Sequence, residues 1–243
     1  MEDKIIGRNP VLEAIKSGRT IDKILIKKGR YEGSIIPIVK RAKENGIIVQ
    51  ETAAEKLDML AEGGNHQGVV AIVSAHEYVT VEDILKKAAD KGEAPFVIIC
   101  DKITDPHNLG AIIRTANCVG AHGVIIPKRG SANVNSVVVK TSAGAAMYTG
   151  VAKVTNIAQT IDELKKAGLW IAAADMDGEE MYKTDLKGAL GIVIGNEGEG
   201  VSRLVKERCD FIASIPMAGD INSLNASVAA GVLMYEALRQ RRT

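Results

Sequence analysis

Short, uninterrupted apolar runs alternate with amphipathic stretches through most of this 243-residue chain. The clearest runs are FVIIC at 96–100, GVIIP at 123–127 and GIVIG at 191–195, and helix-like patterns separate them. An apolar run without alternation is typical of a strand that is covered on both faces, as in parallel sheets. The sequence therefore predicts an α/β fold in which a mostly parallel sheet carries helices on both faces.

The same pattern divides the chain into two α/β units with a charged segment between them. Residues 1–74 form a small unit of alternating helices and strands, in which glycines end the first two helices. Residues 75–94 hold one charged helical pattern and lead into glycine and proline signals, so we predict a linker there. Residues 95–243 form the larger, parallel-sheet unit.

Composition excludes several classes of protein. The chain is 46% apolar and 25% charged, which is typical of globular domains. No apolar run approaches the roughly 18–20 residues of a membrane span, and the first ten residues lack the pattern of a signal peptide, so we expect a cytoplasmic protein that does not bind membranes. The 3 cysteines lie far apart and the 4 histidines lack metal-ligand spacing, so we predict neither a disulfide framework nor a metal site.

Positive charge is concentrated between Lys16 and Lys43. This stretch holds nine basic residues against two acidic ones, Asp22 and Glu32, although the whole chain has a net charge of only +1. A local excess of this size could bind a polyanion such as nucleic acid. A solvated surface without a ligand is the alternative.

A glycine-rich loop follows the third apolar run. Gly195 and Gly200 have the spacing of a phosphate-binding loop, but Val201 stands where that motif requires a lysine. Glu197 and Glu199 would repel a phosphate. Since glycines let the backbone approach a ligand closely, we predict a neutral or zwitterionic ligand here; a turn that binds nothing is the alternative.

Two further loops that follow apolar strands carry neutral polar side chains. In one, Asn108 opens a helix on which Arg114 lies among apolar neighbours, which suggests that the arginine is partly enclosed. In the other, Ser223 and Asn225 flank Leu224 and precede an alanine-rich helix. The asparagines and the serine could be simple helix caps and the arginine a solvated charge. Because loops at one end of a parallel sheet converge, we expect the three loops to form one site.

Two other enzyme classes fit the sequence poorly. Asp101 at the end of a strand suggests a dinucleotide-dependent oxidoreductase, but no G-x-G-x-x-G follows the first strand of the larger unit. No G-x-S-x-G is present, which disfavours a serine hydrolase.

The three loop motifs resemble, in this order, those of the SpoU branch of the SPOUT methyltransferases: NLGAIIRTA, IVIGNEGEGVS and IPMAGDINSLNASVAAG. GRNPVLEAI and NHQGVVA are similar to segments of the RlmB/TrmH-like members that modify 23S ribosomal RNA. The resemblance implies methyl transfer from S-adenosylmethionine to a ribose 2′-hydroxyl of RNA, with a guanosine of 23S ribosomal RNA as the first choice. Transfer RNA as the substrate, or RNA binding without catalysis, is the alternative.

The resemblance also covers architecture, since it extends over nearly the whole chain. It implies a SPOUT domain with a trefoil knot at 95–243, and dimerisation through that domain. It also implies that residues 1–74 form an RNA substrate-binding domain similar to ribosomal protein L30e.

Roles for individual residues follow from the resemblance by position. Arg114 is expected to be the central catalytic residue. The other residues expected to take part in catalysis, by arranging the nucleotide or supporting the site, are Asn108, Glu197, Ser223 and Asn225. The residues expected to bind the cofactor are Gly195, Ile215, Met217 and Leu224.

Overall fold

The computed structural model describes residues 3–73, 76–196 and 198–242. The chain divides into two compact units, and the division falls between Glu77 and Tyr78. Each unit has its own sheet and its own apolar core. The predicted α/β class is therefore confirmed.

The first unit is built on a mixed sheet with the strand order β1-β4-β2-β3. Its strands are β1 Asp3–Ile6, β2 Ile21–Lys27, β3 Ile48–Thr52 and β4 Val69–Val73. Its helices are α1 Arg8–Lys16, α2 Ile35–Glu44 and α3 Ala54–Ala61. The sequence pattern predicts each of these elements except β1, a four-residue edge strand with two charged residues. β2 and β3 are parallel, whereas β4 pairs antiparallel with β1 and β2.

Helices cover both faces of this small sheet. Ile24 and Ile26 pack with the buried residues of α1 and α2, whereas Leu25 packs with Leu57 of α3 on the other face. Successive side chains of a strand point to opposite faces, which explains why β2 has three consecutive apolar residues, Ile24, Leu25 and Ile26.

The second unit contains, in its described residues, a six-stranded sheet with the order β10-β8-β9-β5-β6-β7. Every pairing in it is parallel. Its strands are β5 Phe96–Cys100, β6 Gly123–Pro127, β7 Gly150–Val154, β8 Trp170–Glu180, β9 Leu190–Ile194 and β10 Phe211–Ser214. Its helices are α4 Val81–Asp90, α5 Pro106–Cys118, α6 Ser136–Thr141, α7 Ile157–Lys166, α8 Arg203–Lys206 and α9 Ala226–Arg242.

Most of the segment predicted as a linker, 75–94, packs as part of the second unit. Val79 forms a bridge with Ala152 of β7, and Ile84 of α4 is 1% exposed in a core cluster of this unit. The charged pattern of α4 is its solvent-facing side, and the apolar side chains on the opposite side cover the sheet.

The sheet order brings the predicted functional loops to one edge. β9 and β5 are neighbours in the sheet, and β8 alone lies between β9 and β10. These strands run parallel, so the loops that follow β10, β9 and β5 leave from the same end of the sheet. Ligands of open α/β sheets bind beyond this end. Among the described residues, no helix combines the length and the apolar character that crossing a membrane requires.

Candidate active site

The glycine-rich loop after β9 folds back on itself. A side-chain carbon on Gly195 would overlap the carbonyl group of Gly200 and the amide nitrogen of Val201, so the two ends of the loop touch. The Asn196 side-chain oxygen accepts hydrogen bonds from the amides of residues 198 and 199, both at 2.8 Å. The loop is therefore a compact turn organised by Asn196, and only glycine fits at position 195.

A buried carboxylate fixes the far end of this loop. Asp101 follows β5 and is 4% exposed, and its Oδ2 accepts a hydrogen bond of 2.7 Å from the backbone amide of Ser202. A hydrogen bond to a buried charged acceptor is among the stronger ones in proteins. Asp101, which in the sequence suggested a dinucleotide site, thus anchors the glycine loop.

The third loop, residues 215–225, runs without regular structure from β10 to α9. Its side chains are more exposed than those of the strands, with Met217 at 40% and Leu224 at 36% exposure. Asn225 ends the loop as a helix cap, because its Oδ1 accepts hydrogen bonds from the Ser227 amide at 2.9 Å and the Val228 amide at 3.4 Å. The sequence left open whether Asn225 is a helix cap, and the structure shows that it is.

A cavity of about 390 Å³ lies between these two loops, β8 and the start of α9. All four residues expected to bind the cofactor line it, together with Ser223: Gly195, Ile215, Met217 and Leu224. Ala226, Ala229 and Leu233 of α9 add an apolar wall. The structure thus brings two of the three predicted motifs together around one cavity.

The first motif joins this site through one hydrogen bond. The Nδ2 group of Asn225 donates to the side-chain oxygen of Asn108 at 3.0 Å. The sequence suggested that Asn108 opens its helix, but the structure shows that it does not. Asp105 caps α5, which begins at Pro106, and Asn108 lies buried in the first turn. Its role is therefore not that of a cap.

Arg114 is exposed, so the expected partial enclosure is wrong. The cause is helical geometry: Ile112 and Ile113 are adjacent in sequence but point to other sides of α5, whereas Arg114 shares its face with Ala111 and Cys118. α5 packs against α9, and Arg114 is not among the residues that line the cavity in the described part of the chain. Glu197 lies outside the described residues.

Sequence reasoning missed the polar wall of the cavity that β8 and α8 supply. Asp175, Asp177 and Lys206 line it, and Glu199 of the glycine loop adds a further carboxylate. Asp175 and Asp177 sit in what reads as an ordinary strand, and Lys206 in a charged turn, so no spacing in the sequence distinguishes them. Only the alternation of carboxylates in ADMDG could have suggested a departure from a fully covered strand.

The lining suits a cationic nucleoside better than a phosphate. It combines apolar side chains with three carboxylates and the single ammonium group of Lys206, counted over the described residues. A nucleoside needs an apolar slot with a few polar groups, and carboxylates favour a positive charge. The described residues contain no cluster of three or more histidine, cysteine, aspartate or glutamate side chains that could hold a metal ion.

Comparison with known families agrees with this site. The SpoU rRNA Methylase family model matches residues 95–235, and the model for RNA 2'-O ribose methyltransferase substrate binding matches residues 4–79. The chain belongs to the SpoU family of S-adenosylmethionine-dependent RNA methyltransferases. The three motifs and the cavity lie within the first of these matches, and the basic stretch lies within the second.

Relatives of this SpoU family member span almost its full length. A Bacillus subtilis (strain 168) protein that is named as a member of the TrmH family of tRNA/rRNA methyltransferases is 46% identical, over 98% of this chain and 96% of its own. A Staphylococcus haemolyticus (strain JCSC1435) protein with the same family name is 49% identical, over 99% and 97%.

Solved structures share the fold, two of them over nearly the whole chain. The SpoU methyltransferase AviRb from Streptomyces viridochromogenes, in complex with the cofactor AdoMet, is 26% identical with a TM-score of 0.61, over 98% of this chain and 90% of that chain. An AdoMet-bound rRNA methyltransferase from Sinorhizobium meliloti is 25% identical with a TM-score of 0.61, over 97% and 86%. A TrmH/SpoU tRNA modifying enzyme from A. aeolicus is 31% identical with a TM-score of 0.57, over 62% and 77%.

Proposed function

We propose that this SpoU methyltransferase methylates a ribose 2′-hydroxyl in RNA, with a guanosine of 23S ribosomal RNA as the first choice. The observation that carries the proposal is the single cavity between the loop of Gly195 and the loop of Leu224, linked through Asn225 and Asn108 to the helix of Arg114. The match of residues 4–79 to a model for 2'-O ribose methyltransferases supports ribose chemistry. The cytoplasm, where such RNA resides, is the compartment that we propose.

The cofactor site in this proposal is the cavity itself. Gly195, Ile215, Met217 and Leu224 would contact S-adenosylmethionine, and the carboxylates of the lining favour its positive charge. When bound, this cofactor supplies a methyl group that its sulfonium already activates. The protein's task is therefore to align the ribose hydroxyl with that methyl group and to stabilise the oxygen as it loses its proton.

Arg114 is the residue that we propose for contact with RNA. A guanidinium stays protonated in proteins, so it is a poor general base. It can instead hold a phosphate with two parallel hydrogen bonds and stabilise developing alkoxide charge. Its exposure fits a group that meets a large substrate.

The remaining predicted residues would order the nucleotide. The hydrogen bond between Asn225 and Asn108 holds two amide groups beside the cavity, and Ser223 lines the cavity itself. These neutral donors and acceptors can bind ribose and base without competing for the charge on Arg114. The supporting role of Glu197 stays a prediction.

The product of the reaction tests the proposal. Purified protein is incubated with methyl-labelled S-adenosylmethionine and, separately, with ribosomal and transfer RNA from a strain that lacks the gene; the RNA is then digested to nucleosides. We expect labelled 2′-O-methylguanosine from 23S ribosomal RNA. Label in transfer RNA alone would favour the second candidate, which the names of the relatives also support. A base-methylated product, or none, would contradict ribose methylation.

We also propose that the basic stretch between Lys16 and Lys43 binds RNA phosphates. Eight of its nine basic side chains are exposed, and Lys23 is half-buried. Lys27 and Lys28 lie together where β2 ends, in the unit that matches the substrate-binding model. Exposed lysines contribute to RNA affinity mainly by releasing counterions, which makes that affinity salt-dependent.

Reversing both charges should weaken RNA binding and its dependence on salt. For Lys27→Glu with Lys28→Glu, the slope of log K against log salt should fall by about 1 to 2, as measured by fluorescence anisotropy with a ribosomal RNA fragment. The matched control is Lys56→Glu with Lys86→Glu, two exposed lysines outside the stretch. An unchanged slope in the first variant would favour a solvated surface instead.

The proposed assembly is a homodimer formed through the second unit. Val228 and Tyr235, seven positions apart on one side of α9, are 50% and 53% exposed, and Val232 lies between them. Light scattering of the native protein should give the mass of two chains. The Tyr235→Glu variant should give the mass of one chain. Tyr182→Glu, at another exposed tyrosine, should stay dimeric. A monomeric native chain would refute the dimer.

A further inference from the structure

Strand β8 carries a bulge that forms one wall of the cavity. Opposite β10, Ile212 pairs with Ala173 but the next residue, Ala213, pairs with Glu179. Residues 174–178 therefore have no partner on β10 or β9 among the described pairings. Gly178 makes this possible, because a side-chain carbon there would overlap the carbonyl group of Ile212. Bulges of this kind redirect side chains next to functional sites.

The bulge places Asp175 in an ion pair with Lys206. The Lys206 ammonium bonds to Oδ2 of Asp175, and the two side chains are 27% and 13% exposed. Burial alone would raise the pKa of Asp175, but the hydrogen bonds from Lys206 and from the backbone amides of residues 176 and 177 outweigh it, so the pKa lies below its usual value. Asp175 is therefore a carboxylate at neutral pH.

This pair borders the glycine loop and keeps bonding capacity toward the cavity. A side-chain carbon on Gly200 would lie 3.6 Å from Oδ2 of Asp175. An ammonium group has three donors, and Asp175 takes one of those of Lys206 among the contacts of the described residues. Lys206 is also the only cation in the described lining. A ligand with both charges would find an opposite charge for each.

We propose that Asp175 and Lys206 bind the amino-acid end of S-adenosylmethionine, Lys206 its carboxylate and Asp175 its ammonium group. The inference rests on the proposed function, which places the cofactor in this cavity. Charged hydrogen bonds between such groups are shorter and stronger than neutral ones. Because the two side chains neutralise each other when no ligand is bound, the empty site does not bury an unpaired charge.

Three sulfonium ligands that differ only at this end test the inference by calorimetry: S-adenosylmethionine, its decarboxylated analogue and 5′-deoxy-5′-(dimethylsulfonio)adenosine, which keeps the sulfonium charge but lacks the amino-acid end. Lys206→Met should lower the affinity for S-adenosylmethionine about tenfold or more, as loss of a charged hydrogen bond does. The affinities for the other two ligands should change less than about twofold. Asp175→Asn should weaken the binding of both ligands that carry the ammonium group and leave the binding of the dimethylsulfonium nucleoside unchanged.

Two further variants separate recognition from folding. Lys206→Arg keeps the charge and should preserve the preference for S-adenosylmethionine over its decarboxylated analogue. Lys165→Met removes the cation of a similar pair, in which Lys165 lies 2.7 Å from Asp210, and neither residue lines the cavity. It should leave the three affinities in their native order.

The outcomes that overturn the inference differ from failure of the proposed function. If Lys206→Met lowered the affinity for all three ligands equally, the pair of Asp175 and Lys206 would only shape the cavity. Weaker binding of the dimethylsulfonium nucleoside to Asp175→Asn would assign that carboxylate to the sulfonium or the nucleoside instead. Native protein that binds none of the three ligands would refute the proposed cofactor site, and the inference with it.

Discussion

Replacing Arg114 with lysine should reduce methyl transfer to RNA by about 100-fold or more, the effect of removing one well-placed donor to developing charge. The affinity for S-adenosylmethionine should change less than about twofold, because Arg114 is exposed and does not line the cavity in the described residues. A lysine keeps the charge but cannot reproduce the planar, two-pronged donor. Single-turnover kinetics and calorimetry measure the two quantities separately.

An exposed arginine of the same unit provides the control. The Arg203 side chain opens the short helix α8, is 92% exposed and pairs with Glu207, the residue after that helix. Arg203→Lys should therefore turn over as the native protein does. Near-native turnover of Arg114→Lys would remove Arg114 from the catalytic machinery, and parallel loss of cofactor affinity would place it in the cofactor site instead.

Replacing Gly195 with alanine should lower the affinity for S-adenosylmethionine by about 100-fold, since forcing an atom into a packed site costs up to about 3 kcal/mol. The added carbon would overlap the backbone of Gly200 and Val201, so the loop would have to open. That opening would also strain the hydrogen bond between Asp101 and the Ser202 amide. Calorimetric titration of the variant with S-adenosylmethionine measures the loss.

Another glycine of the same loop is the matched control. Among the described residues other than its chain neighbours, the Asn196 side chain alone would lie within 4 Å of a side-chain carbon on Gly198, at an ordinary contact distance of 3.5 Å. Gly198→Ala should therefore bind the cofactor within about threefold of the native protein. If both alanine variants bind normally, the compact turn is not the cofactor-binding element.

The fold was largely predictable because apolar periodicity reports burial directly. FVIIC at 96–100 forms β5, whose side chains enter two core clusters on opposite faces of the sheet, as a run without polar residues requires. The alanine-rich helix predicted after Asn225 forms α9, Ala226–Arg242. Only elements with weak periodicity escaped, such as the four residues of β1 and the four of α8.

The candidate site was predictable where local motifs carry it. Gly195 and Leu224 belong to motifs that the sequence displays as unusual loops, and both line the cavity. The exposure of Arg114 was not predictable from its apolar neighbours, because neighbours in sequence lie on different sides of a helix.

The amino-acid sequence by itself determined the alternation of strands and helices, the two units and the three loops that end at one edge of the parallel sheet. Only the tertiary structure decided that Asp101 anchors the glycine loop, that Asn108 meets Asn225, and that β8 bulges. It alone also brought Asp175 to Lys206. Periodicity records whether a side chain is buried, whereas these contacts join residues far apart in the chain, and their partners are set by strand order and register.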